Sequence, residues 1–263
     1  MFENSAPLLV RFLICFVIGS IPFAVVSMMG SGVDIRKVGS RNPGFNNVLR
    51  VSSRRAVAAL VGDMGKGALA VWLVLYVWPA HLPQAWAQGA WAQGAWAGVA
   101  WAASHPVFPA HRVFPAGIAL GWSYGLAAVL GHCFSPFLRF KGGKGIATSG
   151  GVMLVLYPVW AVIALAYFTA ARVAGGKLKW REAGTIASLT TWALFVLLML
   201  FFVGRLDAAC AAVMLSFLTW RHKKNLRNLF GSPPSIVLSP LPGSTEAQPA
   251  HGEPIAGQLT TDN

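Results

Sequence analysis

The stretch PLLVRFLICFVIGSIPFAVVSMM, residues 7–29, decides the fold, because Arg11 is its single charged side chain. At about 1.5 Å per residue, a helix of this length crosses a bilayer core of about 30 Å. The chain afterwards returns to apolar sequence, so we interpret 7–29 as a retained transmembrane helix and not as a cleaved signal peptide. Five further apolar runs predict an all-α polytopic membrane protein: 56–79, 115–134, 146–172, 184–203 and 206–220.

The composition supports this class. Of 263 residues, 56% are hydrophobic and only 11% are charged, against about 25% charged residues in a soluble chain. The net charge of +13 combines 21 Lys or Arg with 8 Asp or Glu. A basic excess on an apolar chain is typical of cytoplasmic loops or of phosphate sites, and it argues against disorder and against nucleic-acid binding.

The residues that hold metals or form disulfides are few and scattered. The three cysteines show no CxxC spacing and lie in or beside apolar runs, which predicts buried thiols. The acids of the body are far apart in sequence, so neither a carboxylate-bound metal nor a paired-carboxylate hydrolase is favoured, and we expect no metal and no cofactor. These residues are Cys15, Cys133 and Cys210, and Glu3, Asp34, Asp63, Glu182 and Asp207.

The distribution of basic residues predicts the topology. Seventeen of the 21 fall in four clusters, at 36–55, 139–144, 172–181 and 221–227. Placing all four clusters in the cytoplasm satisfies the positive-inside rule and requires an even number of crossings between them. The run 146–172 must then break at Pro158, as a pair of short helices or a re-entrant hairpin. We therefore predict about seven helices with the N-terminus outside.

Two segments lie apart from this scheme. Residues 80–114 contain a pentapeptide repeat with a Trp at every fifth position, and we interpret them as an external interfacial insertion in preference to another spanning helix. Residues 231–263 are rich in Pro, Gly, Ser and Thr and are predicted to form a disordered tail. The membrane-embedded domain is therefore expected to span residues 1–230.

The loop DIRKVGSRNPGFNNVLR, residues 34–50, combines small donors with a guanidinium. Glycine amides and Ser or Asn side chains suit phosphate oxygens, and Arg adds a charge-assisted contact. An equally open alternative is a basic loop that only sets topology. The candidate ligands are Gly39, Ser40, Asn42, Asn47 and Arg50.

The segment FKGGKGIAT, residues 140–148, begins the next apolar run. Glycines allow close backbone approach to an anion, and a helix N-terminus adds partial positive charge. It is not a Walker A motif, and a simple linker remains the alternative. The candidate phosphate-binding residues are Lys141, Gly142, Gly143, Lys144, Gly145 and Thr148.

Two pairs of polar residues share helical spacing. His222 and Asn225, in RHKKNLRNLF at 221–230, are three apart and lie on one face if the helix continues, although a solvated cap is the alternative. Arg227 follows them. Asp63 and Lys66 are also three apart within the run 56–79, where we predict a structural ion pair that lines the site.

Five ordered blocks give the chain a specific resemblance. GSIPF at 19–23, the loop 34–50, the Asp63 and Lys66 pair, GHCFSPFLRFKGGKGIAT at 131–148 and RHKKNLRNL at 221–229 resemble the bacterial membrane family of acyl-phosphate:glycerol-3-phosphate acyltransferases, known as PlsY. The resemblance covers most of the chain except the Trp-rich insertion, the loop 173–183 and the tail. The closing Gly-Thr-Glu of the family is absent.

The resemblance implies a seven-helix fold in the bacterial inner membrane with cytoplasmic motif loops. It also implies transfer of a fatty acyl group from acyl phosphate to the 1-hydroxyl of glycerol 3-phosphate, an early step of phospholipid synthesis. Ser40, Arg50, Lys144, His222 and Asn225 would carry the reaction, and His222 or a substrate phosphate oxygen would take the hydroxyl proton. The implied partners are the two substrates, membrane lipids and the upstream enzyme that forms acyl phosphate. A transporter of a small phosphorylated metabolite is the alternative, although the sequence does not show the related halves around midplane breaks that a transporter should have.

Overall fold

The computed structural model describes residues 6–77 and 117–231, and every regular element in these ranges is helical. The described helices belong to one compact unit that ends at Phe230. This confirms the all-α class for the described part of the chain. The insertion at 80–114 and the tail beyond 231 lie outside the described residues.

The described part of this unit contains ten α-helices. They are α1 (Ala6–Ser20), α2 (Phe23–Val26), α3 (Phe45–Val48), α4 (Ser53–Trp72), α5 (Gly117–Cys133), α6 (Ile146–Leu156), α7 (Pro158–Lys177), α8 (Ala183–Phe202), α9 (Arg205–Arg221) and α10 (Lys223–Phe230). A π-helix over Leu73–Val77 extends α4, and a 3-10 turn over Pro136–Leu138 follows α5. Four segments of the described ranges are long and apolar enough to cross a membrane: Leu8–Val26, Ser53–Leu75, Pro158–Lys177 and Ala183–Phe202.

The first apolar stretch is interrupted, and the prediction of one helix over 7–29 is wrong at this point. Pro22 lacks an amide donor, so α1 ends at Ser20 and a separate turn, α2, follows. Side chains from elsewhere satisfy the carbonyls that the break frees. Ser135 Oγ donates to Ser20 O at 2.6 Å, and Lys66 Nζ donates to Ile21 O at 2.7 Å.

The break predicted at Pro158 is confirmed. Helix α6 ends at Leu156 and α7 begins at Pro158, with Tyr157 between them. The two halves are unequal, because α6 has 11 residues whereas α7 has 20 and continues to Lys177, beyond the end predicted at residue 172. The basic side chains of Arg172 and Lys177 therefore lie on α7 itself and not in a loop after it.

Close glycine contacts draw the helices together. A Cβ on Gly19 or Gly131 would overlap the backbone of the facing helix between α1 and α5, and one on Gly67 or Gly151 would do so between α4 and α6. Small residues at such crossings allow the close backbone approach that packs helices in a membrane. A second group of helices, α7, α8 and α9, packs around buried aromatic residues that include Trp192 and Phe195. The candidate site lies where these two groups meet.

Candidate functional site

A cavity of about 790 Å³ opens among the loop 34–50, the glycine segment before α6, and helices α4, α6, α7, α8 and α10. One end is polar and basic, and the rest is mainly apolar. The structure thus brings together three motifs that are separated by up to about 180 residues in sequence. The predicted residues that line the cavity are Ser40, Asn42, Asn47, Arg50, Asp63, Lys144, Gly145, His222 and Asn225.

The amide of Asn47 holds the first loop in shape. Its Oδ1 accepts from Ser40 N at 2.9 Å, and its Nδ2 donates to Ile35 O at 2.9 Å and Val38 O at 3.1 Å. Gly39, at φ +55°, makes the turn, and a Cβ there would overlap Asn47 Oδ1. Asn47 is buried and its amide is already hydrogen-bonded, so it positions Ser40 and does not have the free phosphate-binding amide that the sequence suggested.

The glycine segment is held against the end of α5. Gly142 N donates to Cys133 O at 3.1 Å, and Gly143 N donates to His132 O at 3.2 Å. These two amides are therefore hydrogen-bonded within the protein, and their contact with a phosphate stays a prediction. Gly145, at φ +91°, caps the N-terminus of α6. The first turn of α6, whose backbone amides have no partner within the helix, faces the cavity.

Arg221 braces this segment from the other side. Its Nη2 donates to Gly143 O at 2.7 Å, and its guanidinium lies 5.1 Å from the centre of the Phe134 ring. The cation–π contact and the carbonyl bond fix the guanidinium beside the glycine loop. Sequence reasoning missed this role, because Arg221 belongs to one of the basic clusters that also fit a purely topological function.

Lys144 sits at the polar end of the cavity. Its Nζ donates to Asn225 Oδ1 at 2.6 Å, and Asn225 Nδ2 donates to Glu182 Oε2 at 2.5 Å. Burial, together with the nearby charges of Arg221 and Arg50, lowers the pKa of Lys144, while the charge of Glu182 opposes that shift. The ammonium is thus a partly desolvated cation, and such a cation interacts strongly with an anionic ligand.

His222 presents an acceptor nitrogen. It lies just after α9, is 3% exposed, and its Nδ1 is 2.8 Å from Leu218 O. A carbonyl oxygen only accepts, so Nδ1 carries the proton and Nε2 of the neutral ring has a free lone pair. Burial lowers the pKa of His222 to about 4, with the charges of Lys144 and Arg221 adding to the effect. The imidazole is therefore neutral near pH 7.

The predicted ion pair between Asp63 and Lys66 is present on α4. Lys66 Nζ lies 2.7 Å from Asp63 Oδ1, and both side chains are 2% exposed. The same oxygen lies 3.5 Å from His132 Nδ1, a partner 69 residues away that sequence spacing does not indicate. His132 lines the cavity, and a Cβ added at Gly143 would overlap the His132 ring. Asp63 thus lies beside a histidine as well as pairing with a lysine.

Some predicted residues lie away from the cavity. Lys141 and Arg227 are exposed, and Lys66 faces the helix break. Thr148 is fully buried and its backbone packs on Gly67, so the structure gives it a packing position and not a phosphate contact. Conversely, Glu182 lines the cavity although the loop 173–183 carried no recognised motif. The described residues contain no group of three His, Cys, Asp or Glu that could hold a metal ion.

The apolar part of the cavity runs between α6, α7 and α8. Met153, Leu154, Leu165 and Phe168 line it, and Trp192 borders it with its indole N–H bonded to Ser149 Oγ at 3.2 Å. Leu165, on α7, is 43% exposed. The apolar part is continuous with the basic end within one cavity.

A cationic pocket joined to an apolar cavity, in a helical protein with four segments able to cross a membrane, fits a membrane protein that handles an anionic, amphiphilic molecule. The comparisons with known proteins make this class specific. Residues 9–232 match the family model described as glycerol-3-phosphate acyltransferase. The chain belongs to the glycerol-3-phosphate acyltransferase family, and it is an acyltransferase.

Individual relatives agree with this assignment. A glycerol-3-phosphate acyltransferase of Burkholderia orbicola (strain MC0-3) is 31% identical over 88% of this chain and 93% of its own length. One of Geotalea daltonii is 31% identical over 81% and 89%. The crystal structure of PlsY (YgiH), an integral membrane glycerol 3-phosphate acyltransferase, in its glycerol 3-phosphate form, has a TM-score of 0.60 and 25% identity over 85% of this chain and 92% of that chain. These matches favour the enzyme over the transporter alternative.

Proposed function

We propose that this enzyme transfers a fatty acyl group from acyl phosphate to the 1-hydroxyl of sn-glycerol 3-phosphate, and releases lysophosphatidate and inorganic phosphate. The observation that carries this proposal is the continuity of one cavity. Its basic end contains Lys144, Arg50 and the neutral His222, and its apolar part is lined by Met153, Leu154, Leu165 and Phe168. Acyl phosphate has an anionic head and an apolar tail, so it matches both parts, and glycerol 3-phosphate matches the basic end.

The glycine segment is the proposed site of the donor phosphate. The first turn of α6 supplies amides and partial positive charge, and Lys144 supplies a full charge beside it. The acyl tail lies along Leu154 and Phe168. The loop 34–50 is the proposed acceptor site, because Asn47 fixes the Ser40 backbone and Arg50 is available for a bidentate phosphate contact.

The reaction needs no covalent nucleophile, because acyl phosphate is already a mixed anhydride. The 1-hydroxyl oxygen attacks the acyl carbonyl, the acyl–oxygen bond to phosphate breaks, and phosphate departs with the bonding electrons. The hydroxyl proton passes to Nε2 of His222, which the contact with Leu218 O leaves unprotonated. Lys144 and the α6 amides stabilise the negative charge that develops on the leaving phosphate.

The basicity of His222 depends on the substrates. Without ligand, burial and the charges of Lys144 and Arg221 hold the pKa of His222 near about 4, where the ring is a weak base. Two bound phosphates bring negative charge toward these cations. The pKa of His222 therefore rises when the ternary complex forms, which strengthens the base when both substrates are present.

We further propose seven membrane crossings with the N-terminus outside and the motif loops in the cytoplasm of a bacterial inner membrane. The chain offers seven helices of 11 residues or more in its described part, and the basic ends of α7 and α9 meet the polar end of the cavity. The described helices up to Phe230 belong to the proposed acyltransferase domain. The upstream enzyme that makes acyl phosphate is the proposed partner on the cytoplasmic side.

One assay tests the reaction. Purified protein in detergent micelles receives acyl phosphate and glycerol 3-phosphate, and inorganic phosphate and lysophosphatidate are measured together. We expect equal amounts of the two products, and at least a hundredfold slower transfer from acyl-CoA at matched concentration. Equal transfer from acyl-CoA refutes the donor assignment. Phosphate release without lysophosphatidate refutes the acceptor assignment.

A further inference from the structure

Glu182 adopts a backbone conformation that its side chain disfavours. It precedes α8 with φ +55° and ψ +33°, in the left-handed region where Gly and Asn are the usual residues. A left-handed residue of another type is conformationally strained. The carboxylate accepts no hydrogen bond from a backbone amide in the first turn of α8. Helix capping therefore does not account for the presence of Glu at this position.

The carboxylate is used on the other side, toward the cavity. Its Oε2 accepts from Asn225 Nδ2 at 2.5 Å and from Thr185 Oγ1 at 3.2 Å, and its Oε1 accepts from Asn228 Nδ2 at 3.3 Å. Although burial raises the pKa of Glu182, the bonds from Asn225, Asn228 and Thr185 together with the charge of Lys144 outweigh it and lower the pKa. The group that faces Asn225 is thus a carboxylate, which only accepts.

The two neighbours of Asn225 fix the orientation of its amide. Glu182 only accepts and Lys144 only donates, so Nδ2 must face the carboxylate and Oδ1 must face the ammonium. Reversing the amide would place NH₂ against the Lys144 ammonium and oxygen against the Glu182 carboxylate. Without the carboxylate, the hydrogen bond from Lys144 alone would be left to select between the two orientations of the Asn225 amide.

We propose that Glu182 is a positioning residue for the acyl-transfer reaction: it orients Asn225, and the Asn225 oxygen then holds the Lys144 ammonium at the basic end of the cavity. This inference rests on the proposed function for its catalytic consequence. Glu182 acts through Lys144 and touches neither substrate. Its loss should therefore lower kcat and leave the KM for glycerol 3-phosphate nearly unchanged, since the acceptor is bound by the loop 34–50.

Two substitutions separate positioning from folding. Glu182→Gly and Glu182→Asn both suit the left-handed backbone, and neither side chain reaches Asn225 as Glu does. We expect unchanged or higher thermal stability in both, with kcat lowered about 10- to 100-fold, less than in Lys144→Ala, because the ammonium is displaced and not removed. Arg139→Gly is the matched control, because Arg139 is exposed, also left-handed at φ +51°, and does not line the cavity.

A double-mutant cycle provides the decisive comparison. If Glu182 acts through Lys144, Glu182→Gly should change kcat less than twofold in the Lys144→Ala background. If the reductions in kcat of the two single variants multiply in the double variant, the proposal is overturned. A Glu182→Gly enzyme with wild-type kcat also overturns it. The same cycle can be measured without turnover, from the concentration of inorganic phosphate that gives half-maximal thermal stabilisation. If the two substitutions are coupled in phosphate binding but the enzyme does not turn over acyl phosphate, the positioning of Lys144 by Glu182 is supported and the proposed function is rejected.

Discussion

Replacing Gly143 with Ala should disable the enzyme through a steric contact that the structure defines. A Cβ at this position would come within 2.9 Å of His132 Cε1 and 3.1 Å of Cδ2, and it would lie closer still to Nε2. The ring has little room to move, because His132 is 7% exposed and its Nδ1 lies 3.5 Å from the paired carboxylate of Asp63. The loop must therefore shift.

The size of the shift sets the expected effect. Ordinary van der Waals separation from the ring requires a displacement of about 1 Å, and Lys144, as the next residue, moves with the loop. A misplacement of about 1 Å costs about 100-fold in rate, which corresponds to about 2.7 kcal/mol of transition-state stabilisation. We therefore expect kcat of Gly143→Ala to fall about 100-fold while the protein remains folded.

The measurement is the initial rate of phosphate release at saturating substrates, with thermal unfolding recorded on the same preparations. Gly65→Ala is the matched control. Gly65 lies in the middle of α4 on its exposed side, and a Cβ there would meet nothing within 4 Å. That variant should keep its rate and gain up to about 1 kcal/mol of stability. The reasoning is refuted if Gly143→Ala keeps a rate within threefold of wild type, or if the change costs equally much in a His132→Ala background, where the ring is gone.

Three further predictions address the loops, the base and the topology. Lys144→Ala should lower kcat about 100- to 1000-fold, whereas Ser40→Ala and Arg50→Ala should mainly raise the KM for glycerol 3-phosphate; the opposite pattern in steady-state kinetics would exchange the donor and acceptor loops. In an NMR titration, His222 should titrate near pH 4, and Lys144→Gln should raise that pKa toward about 6.5 because a nearby positive charge is removed; an unchanged value would exclude this charge effect. A cysteine introduced by Gly176→Cys, at an exposed site whose nearest atom is 3.7 Å away, should react with an impermeant thiol reagent only from the cytoplasmic side, and labelling from outside would contradict the break at Pro158 as a topological reversal.

The sequence predicted those features that depend on local pattern. Pro158 interrupts an apolar run that is too long for one crossing, and the helix breaks there. Asp63 and Lys66 are one helical turn apart in an apolar helix, where each charge requires a partner, and they pair at 2.7 Å. In both cases the physical constraint acts over a few residues, so it is visible in the sequence itself.

Features that depend on long-range contacts were missed. His132 lies 3.5 Å from Asp63 of another helix, and Glu182 reaches Asn225 from a loop 43 residues earlier in the chain. The amides of Gly142 and Gly143 were expected to bind a phosphate, but they bond to the end of α5. Glycine content indicates that the backbone approaches something closely, and the sequence does not reveal whether that neighbour is a ligand or the protein.

The two lysines near the cavity show how the same charge acquires different uses. Lys66 touches a carboxylate directly, and both groups are almost fully buried, so its charge is neutralised where it stands and serves to join α4 to the break after α1. Lys144 faces a carboxylate only through the neutral amide of Asn225, and among the described residues it makes no ion pair within 4 Å. The amide transmits orientation without neutralising the cation. Lys144 therefore stays charged, fixed and partly desolvated at the basic end of the cavity, which are the properties that stabilisation of a departing phosphate requires.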